Sequence, residues 1–128
     1  MITGIDHFVL TVRALDRTCA FYERALGFRR VDTPDRPTAL QFGAQKINLH
    51  EAGRTFEPKA SAPTPGSGDF CLVTDRPIQD LQRHLKDCGI AIELGPVERI
   101  GARGPMTSLY FRDPDGNLVE VSAYDRSA

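Results

Sequence analysis

Four side chains of the metal-ligand type stand in apolar, strand-like segments of this 128-residue chain: His7, His50, Asp69 and Glu120. Two imidazoles and two carboxylates suit a borderline or hard divalent ion such as Zn, Ni, Co, Mn or Fe(II). The two histidines and Glu120 alone would form a two-histidine, one-carboxylate set, which leaves coordination positions open for oxygen atoms of a substrate. The residue types therefore indicate a divalent metal site.

These four residues carry unequal weight. A single histidine in a strand, such as His7, is more often a hydrogen-bonded structural residue than a ligand. Glu120 is harder to explain structurally, because an inward carboxylate in an apolar strand is costly unless it is paired or coordinated. Asp69 is the weakest candidate, since it precedes the apolar part of its strand and could instead cap or turn the chain.

The strands and helices that must position these residues are predicted to occur in the same order twice along the chain. Hydrophobic periodicity predicts a strand, a helix that Asp16 can cap and that ends at Gly27, and three more strands. After a Pro- and Gly-rich stretch the same order returns, with a helix that ends at Gly89 and strands expected at 90–94, 107–111 and 117–124. We expect an α+β domain with a first βαβββ module at 1–51, a linker at 52–68 and a second βαβββ module at 69–128.

A constant offset supports the duplication. The segment HFVLT at 7–11 aligns with DFCLV at 69–73, and the same offset aligns the two helix ends. His7 and Asp69 are then equivalent, and His50 and Glu120 nearly so. Because each helix covers only one face of its sheet, these polar residues belong to the other face. A pseudo-twofold arrangement would bring all four together.

Composition excludes several classes of partner. Lys plus Arg number 16 and Asp plus Glu 17, so the net charge of −1 argues against nucleic acid and anionic membranes. No apolar run approaches the roughly 20 residues of a membrane span, and no signal peptide is evident. The three cysteines lack metal-type or redox-type spacing, which indicates free thiols in a reducing, cytoplasmic compartment.

Two long segments resemble a known superfamily. DHFVLTVRALDRTCAFYERALGF at 6–28 and LYFRDPDGNLVEV at 109–121 are similar to the opening and closing segments of the vicinal oxygen chelate proteins. That group includes glyoxalase I, bleomycin-resistance proteins and extradiol dioxygenases. QKINLHEAGRTFEPKA, PGSGDFCLVT and GPVERIGARGP look most like a subgroup with the fifth glyoxalase-domain-containing protein of animals and bacterial virulence-associated glyoxalase-like proteins.

The resemblance implies tandem βαβββ modules that form a curved mixed sheet around a metal. It carries the ligand roles to His7, His50 and Glu120, and assigns the remaining position to Asp69. Glyoxalase I and fosfomycin-resistance enzymes often have histidine where this chain has Asp69, and bacterial glyoxalase I usually has glutamate where it has His50. Thr11 stands where glyoxalase I has an arginine that grips glutathione, which argues against glutathione as the cosubstrate.

The shared chemistry of the superfamily is chelation of two adjacent substrate oxygens by the metal. We expect a metal-dependent, glyoxalase-like lyase or isomerase acting on a small molecule, with Glu120 as ligand and base in turn. One alternative is an Fe(II) extradiol-type dioxygenase. Another is a metal-free protein that binds a drug or metabolite. The presence of the candidate metal ligands argues against this alternative. A fourth, weaker hypothesis is an enzyme that transfers a thiol to fosfomycin.

The expected substrate pocket adds residues that share faces with these ligands. Alternation turns Ser108 and Tyr110 toward the pocket, while Leu109 and Phe111 face away. Arg99 and Arg103, in an expected loop at 95–105, could hold an anionic group. The other expected pocket residues are Thr11 and Asn48. Cys71 also faces the pocket by alternation, but it is expected to be a small buried filler. A homodimer is expected, because two half-sheets joined by a long linker suit side-by-side or swapped pairing.

Overall fold

A computed structural model describes residues 1–125, so the last three residues of the predicted second module lie outside it. Its strands and helices follow one another as β1 (His7–Val12), α1 (Leu15–Leu26), β2 (Arg29–Val31), β3 (Thr38–Phe42), β4 (Gln45–Glu51), β5 (Asp69–Val73), α2 (Ile78–Asp87), β6 (Leu94–Gly101), β7 (Gly104–Arg112) and β8 (Leu118–Tyr124). Within these residues, neither helix is long and apolar enough to cross a membrane.

The chain divides into two compact units, each with one four-stranded sheet. The first unit comprises Met1–Ser67 with Pro114–Gly116, and the second comprises Gly68–Asp113 with the chain from Asn117 onward. The strand order is β1-β4-β3-β2 in one sheet and β5-β8-β7-β6 in the other. In each sheet the first two strands are parallel and the remaining pairs are antiparallel. This identical order confirms the predicted α+β fold with two βαβββ repeats.

The pleat of β1 separates a core face from a polar face. Leu10 and Val12 are buried, whereas His7 and Val9 on the opposite face are exposed. Successive side chains of a strand point to opposite faces, so the apolar residues that anchor β1 also fix the side on which His7 stands.

Helix α1 begins without a capping side chain from its own N-cap residue, Ala14. Instead Oε2 of Glu51, at the end of β4, accepts a hydrogen bond from the backbone N–H of Leu15 at 3.0 Å. A carboxylate at this position also complements the positive end of the helix dipole. Asp16, which the sequence suggested as the cap, lies in the first turn and pairs with Arg30 at 2.8 Å. The prediction of Asp16 as the cap was therefore wrong.

The sixth strand lies later in the chain than predicted. The strand expected at 90–94 begins only at Leu94, and the segment expected as a loop at 95–105 forms most of the hairpin between β6 and β7. The register shifts between Leu94 and Val97, and Gly95 there has a φ of 114°, which favours glycine. A Gly-Pro pair at this bulge looks like a loop in the sequence, which hid the strand.

The turn between β7 and β8 forms where the sequence predicted it. Oδ1 of Asp113 accepts a hydrogen bond from the backbone N–H of Asn117 at 3.0 Å, and Oδ2 accepts one from the Asn117 side chain at 2.7 Å. Both residues are buried. The turn fixes the register of β8 on β7, and this register places Tyr110 opposite Glu120.

Candidate functional site

His7 begins β1 with one ring nitrogen available. Its Nδ1 lies 2.8 Å from Oδ1 of Asp6, and the side chain is 42% exposed. In the neutral ring, Nδ1–H donates to this carboxylate and the lone pair stays on Nε2. A carboxylate on the far nitrogen is the usual arrangement around a metal-binding histidine. His7 therefore has the chemistry of a ligand.

Strand β4 carries two buried acceptors without partners on one face. His50 is 4% exposed, and neither its Nδ1 nor the Oδ1 of Asn48 has a hydrogen-bond partner. Burial lowers the pKa of His50 below its ordinary value, and the positive charge of Lys59 lowers it further. The imidazole is therefore neutral at neutral pH. Buried polar groups are rarely left unpaired, so both acceptors fit a site for a cation or a donor.

The register of β1 on β4 separates the two histidines. His7 lies opposite Lys46, and His50 lies opposite Thr11, four residues further along the parallel strands. Four residues of strand span about 13 Å. Asn48 lies midway along β4 between these two positions. The structure thus brings Thr11, Asn48 and His50 together, and leaves His7 at the other end of the same face.

A segment after β4, Arg54–Lys59, folds back beside His50. The ring of Phe56 lies 5.6 Å from the imidazole, centroid to centroid. Nζ of Lys59 donates to Oγ1 of Thr55 at 2.8 Å and pairs with Glu57 at 3.3 Å. The sequence pattern marked this region only as a long loop, a class that is often functional. It did not single out Phe56 or Lys59.

Glu120 stands at the end of a chain of hydroxyl groups in the second unit. Ser122 donates to Oε2 of Glu120 at 3.2 Å, and Oγ of Ser108 lies 2.6 Å from Oγ of Ser122. Because the single hydroxyl proton of Ser122 goes to the carboxylate, Ser108 is the donor in the second bond. Ser122 was not among the predicted residues, although it shares the alternating face of Glu120 in the sequence.

Strand β5 adds Cys71 and Asp69 to this face. Cys71 lies directly opposite Glu120, and its Sγ is 3.1 Å from Oγ of Ser122. The residue is exposed, so the prediction of a buried filler was wrong. Desolvation raises the pKa of the Cys71 thiol, and the charge of Glu120 and a hydrogen bond between Cys71 and Glu120 raise it further. Asp69 is exposed and lies opposite Leu118, one diagonal step from Glu120. Diagonal neighbours on a sheet are about 7–8 Å apart.

Two arginines lie on tyrosine rings at the β6–β7 hairpin. Arg99, on β6, donates from Nε to the hydroxyl of Tyr110 at 2.9 Å, and its guanidinium carbon is 5.4 Å from the ring centroid. Arg103 lies 4.3 Å over the ring of Tyr124, whose hydroxyl accepts from the Arg103 backbone N–H at 3.2 Å. Tyr124 was not predicted.

The donors are thus arranged as one set in each unit. The first unit carries His7, Asn48 and His50, and the second carries Asp69 and Glu120. Across residues 1–125, no group of three or more His, Cys, Asp or Glu side chains is arranged so that it could hold a metal ion. The donor types nevertheless suit a divalent cation. They are a neutral buried imidazole with an unpartnered nitrogen and a carboxylate oriented by Ser122.

Similar proteins share this fold over nearly the whole chain. The chain is 54% identical to "Virulence protein STM3117" of Salmonella typhimurium over 124 residues, which are 97% of this chain and 86% of the relative. The crystal structure of that protein matches with a TM-score of 0.95 and covers 98% of this chain and 99% of its own. A glyoxalase domain-containing protein, RDO1 of Mycosarcoma maydis, is 50% identical over 96% of this chain and 69% of its own length.

More distant relatives are enzymes. A lactoylglutathione lyase structure from Agrobacterium tumefaciens matches with a TM-score of 0.74 and 25% identity, over 96% of this chain and 95% of its own. A catechol-2,3-dioxygenase of Bacillus subtilis is 30% identical over 94% of this chain, which spans 41% of that protein. Residues 4–121 match the family model of the Glyoxalase/Bleomycin resistance protein/Dioxygenase superfamily. With its two βαβββ repeats, this chain belongs to that superfamily.

Proposed function

We propose that this chain is a divalent-metal-dependent enzyme of the glyoxalase lyase or isomerase type. The observation that carries the proposal is the pair of buried, unpartnered acceptors, Nδ1 of His50 and Oδ1 of Asn48, on one face of β4. Leaving a buried polar group unsatisfied costs about 1–3 kcal/mol, and a bound cation would satisfy both atoms. His7, Asp69 and Glu120 are the other proposed metal ligands.

Glu120 is the proposed base. A bound Zn, Ni, Co, Mn or Fe ion would act as a Lewis acid toward two adjacent oxygens of a small substrate. Ser122 donates to Oε2 of Glu120, and Cys71 also hydrogen-bonds to this carboxylate. In the proposed reaction the carboxylate accepts a proton from one substrate carbon and returns it to the neighbouring carbon. Buried Ser108, hydrogen-bonded to Ser122, keeps that hydroxyl directed at the carboxylate.

The second candidate is an Fe(II) extradiol-type dioxygenase. It is supported by the 30% identity to a catechol-2,3-dioxygenase and by the imidazole donors, which suit iron. The two candidates differ in the metal and in the co-reactant, because only the dioxygenase consumes O₂. If the chain binds no metal, the remaining hypothesis is a metal-free protein that binds a drug or metabolite.

Metal content tests the proposal. Purified wild type, His50→Ala, Glu120→Ala and the matched control His84→Ala are analysed for metal, and circular dichroism checks that each is folded. We expect near-stoichiometric metal in wild type and in the control, and loss from the other two variants. Nickel, cobalt, zinc or manganese would direct assays to lyases and isomerases, and iron to oxygenases. A folded wild type that takes up no Zn, Ni or Fe(II) would refute the enzyme.

We also propose a homodimer. Its support is that two half-sheets joined by a long linker suit side-by-side or swapped pairing. Light scattering should show a dimer at micromolar concentration. A wild type that scatters only as monomer contradicts the dimer.

A reducing, cytoplasmic location is part of the proposal. Its support is that Cys19, Cys71 and Cys88 form no disulfide in the described residues. Fractionation of cells that express the chain, with alkylation of thiols before lysis, tests it.

A further inference from the structure

Two arginines of the β6–β7 hairpin lie on tyrosines rather than on carboxylates. Arg99, on β6, donates from Nε to the hydroxyl of Tyr110 at 2.9 Å. Arg103, in the turn, lies 4.3 Å over the ring of Tyr124. Neither guanidinium forms an ion pair with a carboxylate in residues 1–125. A tyrosine ring holds a guanidinium in place without neutralising its charge, so both charges remain for an anion.

The strand register puts both arginines on one face of the second sheet. Arg99 lies opposite Met106 on β7, and Met106 lies opposite Tyr124 on β8. Directly opposed residues of antiparallel strands share a face, so these three residues form one row across the sheet. Met106, in the middle of the row, is buried. Arg103 lies over the same face, because it stacks on the ring of Tyr124.

The side chain of Tyr124 reaches across the sheet as far as β6. A Cβ atom placed on Gly101 would lie 2.7 Å from Sδ of Met106 and would collide with the hydroxyl of Tyr124. The same hydroxyl accepts a hydrogen bond from the backbone N–H of Arg103 at 3.2 Å. Gly101 is two residues from Arg99 on the same face of β6, which is about 7 Å along the strand. Because Gly101 has no side chain, Tyr124 can hold Arg103 close enough to Arg99 for one small ligand to contact both.

Both guanidinium groups keep hydrogen-bond donors for a ligand. In Arg99, Nε donates to Tyr110 and Nη1 donates to the backbone oxygen of Glu98 at 3.0 Å. A guanidinium has five N–H donors, so three of them remain. The guanidinium of Arg103 makes no hydrogen bond within residues 1–125, so all five of its donors remain. Both residues are exposed, so a small molecule can reach them.

The carboxylates of this region lie away from the two arginines. Glu98 is adjacent to Arg99 on β6, so its side chain points to the opposite face of the sheet. On β8, Glu120 shares the face of Tyr124 but lies four residues from it, which is about 13 Å along the strand. The end of this face at the hairpin is therefore positively charged.

We propose that Arg99 and Arg103 together bind a phosphate group of a small molecule, a phosphate monoester or a diphosphate. A phosphate group carries about two negative charges and three acceptor oxygens, which match two guanidinium groups, whereas one carboxylate brings a single charge. The planar donors of arginine also fit the geometry of phosphate oxygens. The site uses none of the proposed metal ligands, so it goes beyond the proposed function and does not depend on it.

Calorimetric titration of metal-stripped protein with inorganic pyrophosphate, at fixed ionic strength, tests the proposal. Arg99→Met and Arg103→Met should each weaken binding about tenfold or more, which is about 1.4 kcal/mol. Arg83→Met is the matched control, because it removes one positive charge from helix α2, where Arg83 pairs with Asp80 at 3.6 Å. This variant should stay within about twofold of wild type, since salt screens the long-range attraction of an exposed charge.

Citrate tests the class of anion, because it carries a charge similar to that of pyrophosphate on carboxylates alone. We expect citrate to bind wild type at least about tenfold more weakly. Equal affinity for the two anions would refute a phosphate site. A folded wild type that does not bind pyrophosphate, or an Arg83→Met variant that weakens binding as much as the hairpin variants, would also overturn the proposal. Thermal unfolding of each variant checks its fold. Because the protein is metal-free throughout, none of these results depends on the proposed enzyme.

Discussion

Ser122 donates its hydroxyl proton to Oε2 of Glu120 at 3.2 Å, two residues away on the same face of β8. The bond uses the one proton that Ser122 can give, and buried Ser108 supplies the proton that Ser122 itself accepts. The carboxylate is thus oriented by Ser122, and the Cys71 thiol forms a further hydrogen bond with it. Such support fixes the orientation of an acidic ligand or base before any substrate arrives.

Removing the Ser122 hydroxyl should weaken metal binding without abolishing it. In Ser122→Ala, Glu120 loses its donor and Ser108 loses its acceptor. We expect metal affinity to fall about tenfold, as for other partners of metal ligands. The free energy of unfolding should fall by about 1–3 kcal/mol. Metal titration and urea unfolding measure the two effects. Ser61→Ala, at an exposed position, is the control, and equal metal affinity in both variants would contradict the role of Ser122.

The carboxylate of Glu51 should matter for stability, because it caps helix α1 from another element. In Glu51→Ala the backbone N–H of Leu15 loses its acceptor, and the free energy of unfolding should fall by about 0.5–2 kcal/mol. Glu51→Gln keeps an oxygen acceptor but loses the charge that favours the helix dipole, so its loss should be smaller. Urea unfolding measures both against Glu23→Ala, on the exposed side of the same helix. If Glu51→Ala, Glu51→Gln and Glu23→Ala all have the same free energy of unfolding, Glu51 does not cap helix α1.

Some parts of the site follow from the sequence because a strand has a fixed period of two. Alternation alone puts Ser108 and Tyr110 on one face of β7 and Glu120 and Ser122 on one face of β8. The Asp-Pro-Asp-Gly-Asn turn, anchored by Asp113, joins these strands as an antiparallel hairpin. A short turn leaves little choice of register, so the neighbours across the hairpin are also accessible to prediction.

Other parts do not follow from any local pattern. Strands β1 and β4 are parallel and distant in sequence, and alternation fixes which face His7 and His50 share but not their offset along the strands. The sequence therefore could not show that the two histidines are separated by four residues. The contact of Phe56 with His50 has the same origin, since it depends on how a proline-containing loop folds back. At β6, the bulge after Leu94 hid a strand that only pairing with β7 defines.

Burial of His50 should make the metal-free protein less stable in mild acid. Because desolvation and the charge of Lys59 lower the folded-state pKa, the unfolded chain binds a proton first as pH falls. The contribution of neutral His50 is complete above its unfolded pKa of about 6.5 and is lost as pH falls from there through the lowered folded pKa. Urea unfolding of chelator-treated protein should show this loss in wild type but not in His50→Gln. If the free energies of unfolding of wild type and His50→Gln change with pH in parallel, burial of His50 does not cause the loss of stability.

The reactivity of the Cys71 thiol should depend on the charge of Glu120. The two residues are opposite each other, and the carboxylate raises the pKa of the thiol in addition to the effect of desolvation. In Glu120→Gln the negative charge is gone, so the thiolate fraction at a given pH rises and alkylation of Cys71 should become about threefold faster. Mass spectrometry of the labelled peptides measures the rate. Cys19 is the internal control: it is 1% exposed, burial raises its pKa to about 11, and it should react only after unfolding in either protein. A rate for Cys71 that does not change in Glu120→Gln would mean that the carboxylate does not act on the thiol, and an equal gain at Cys19 would instead reveal loosening of the fold.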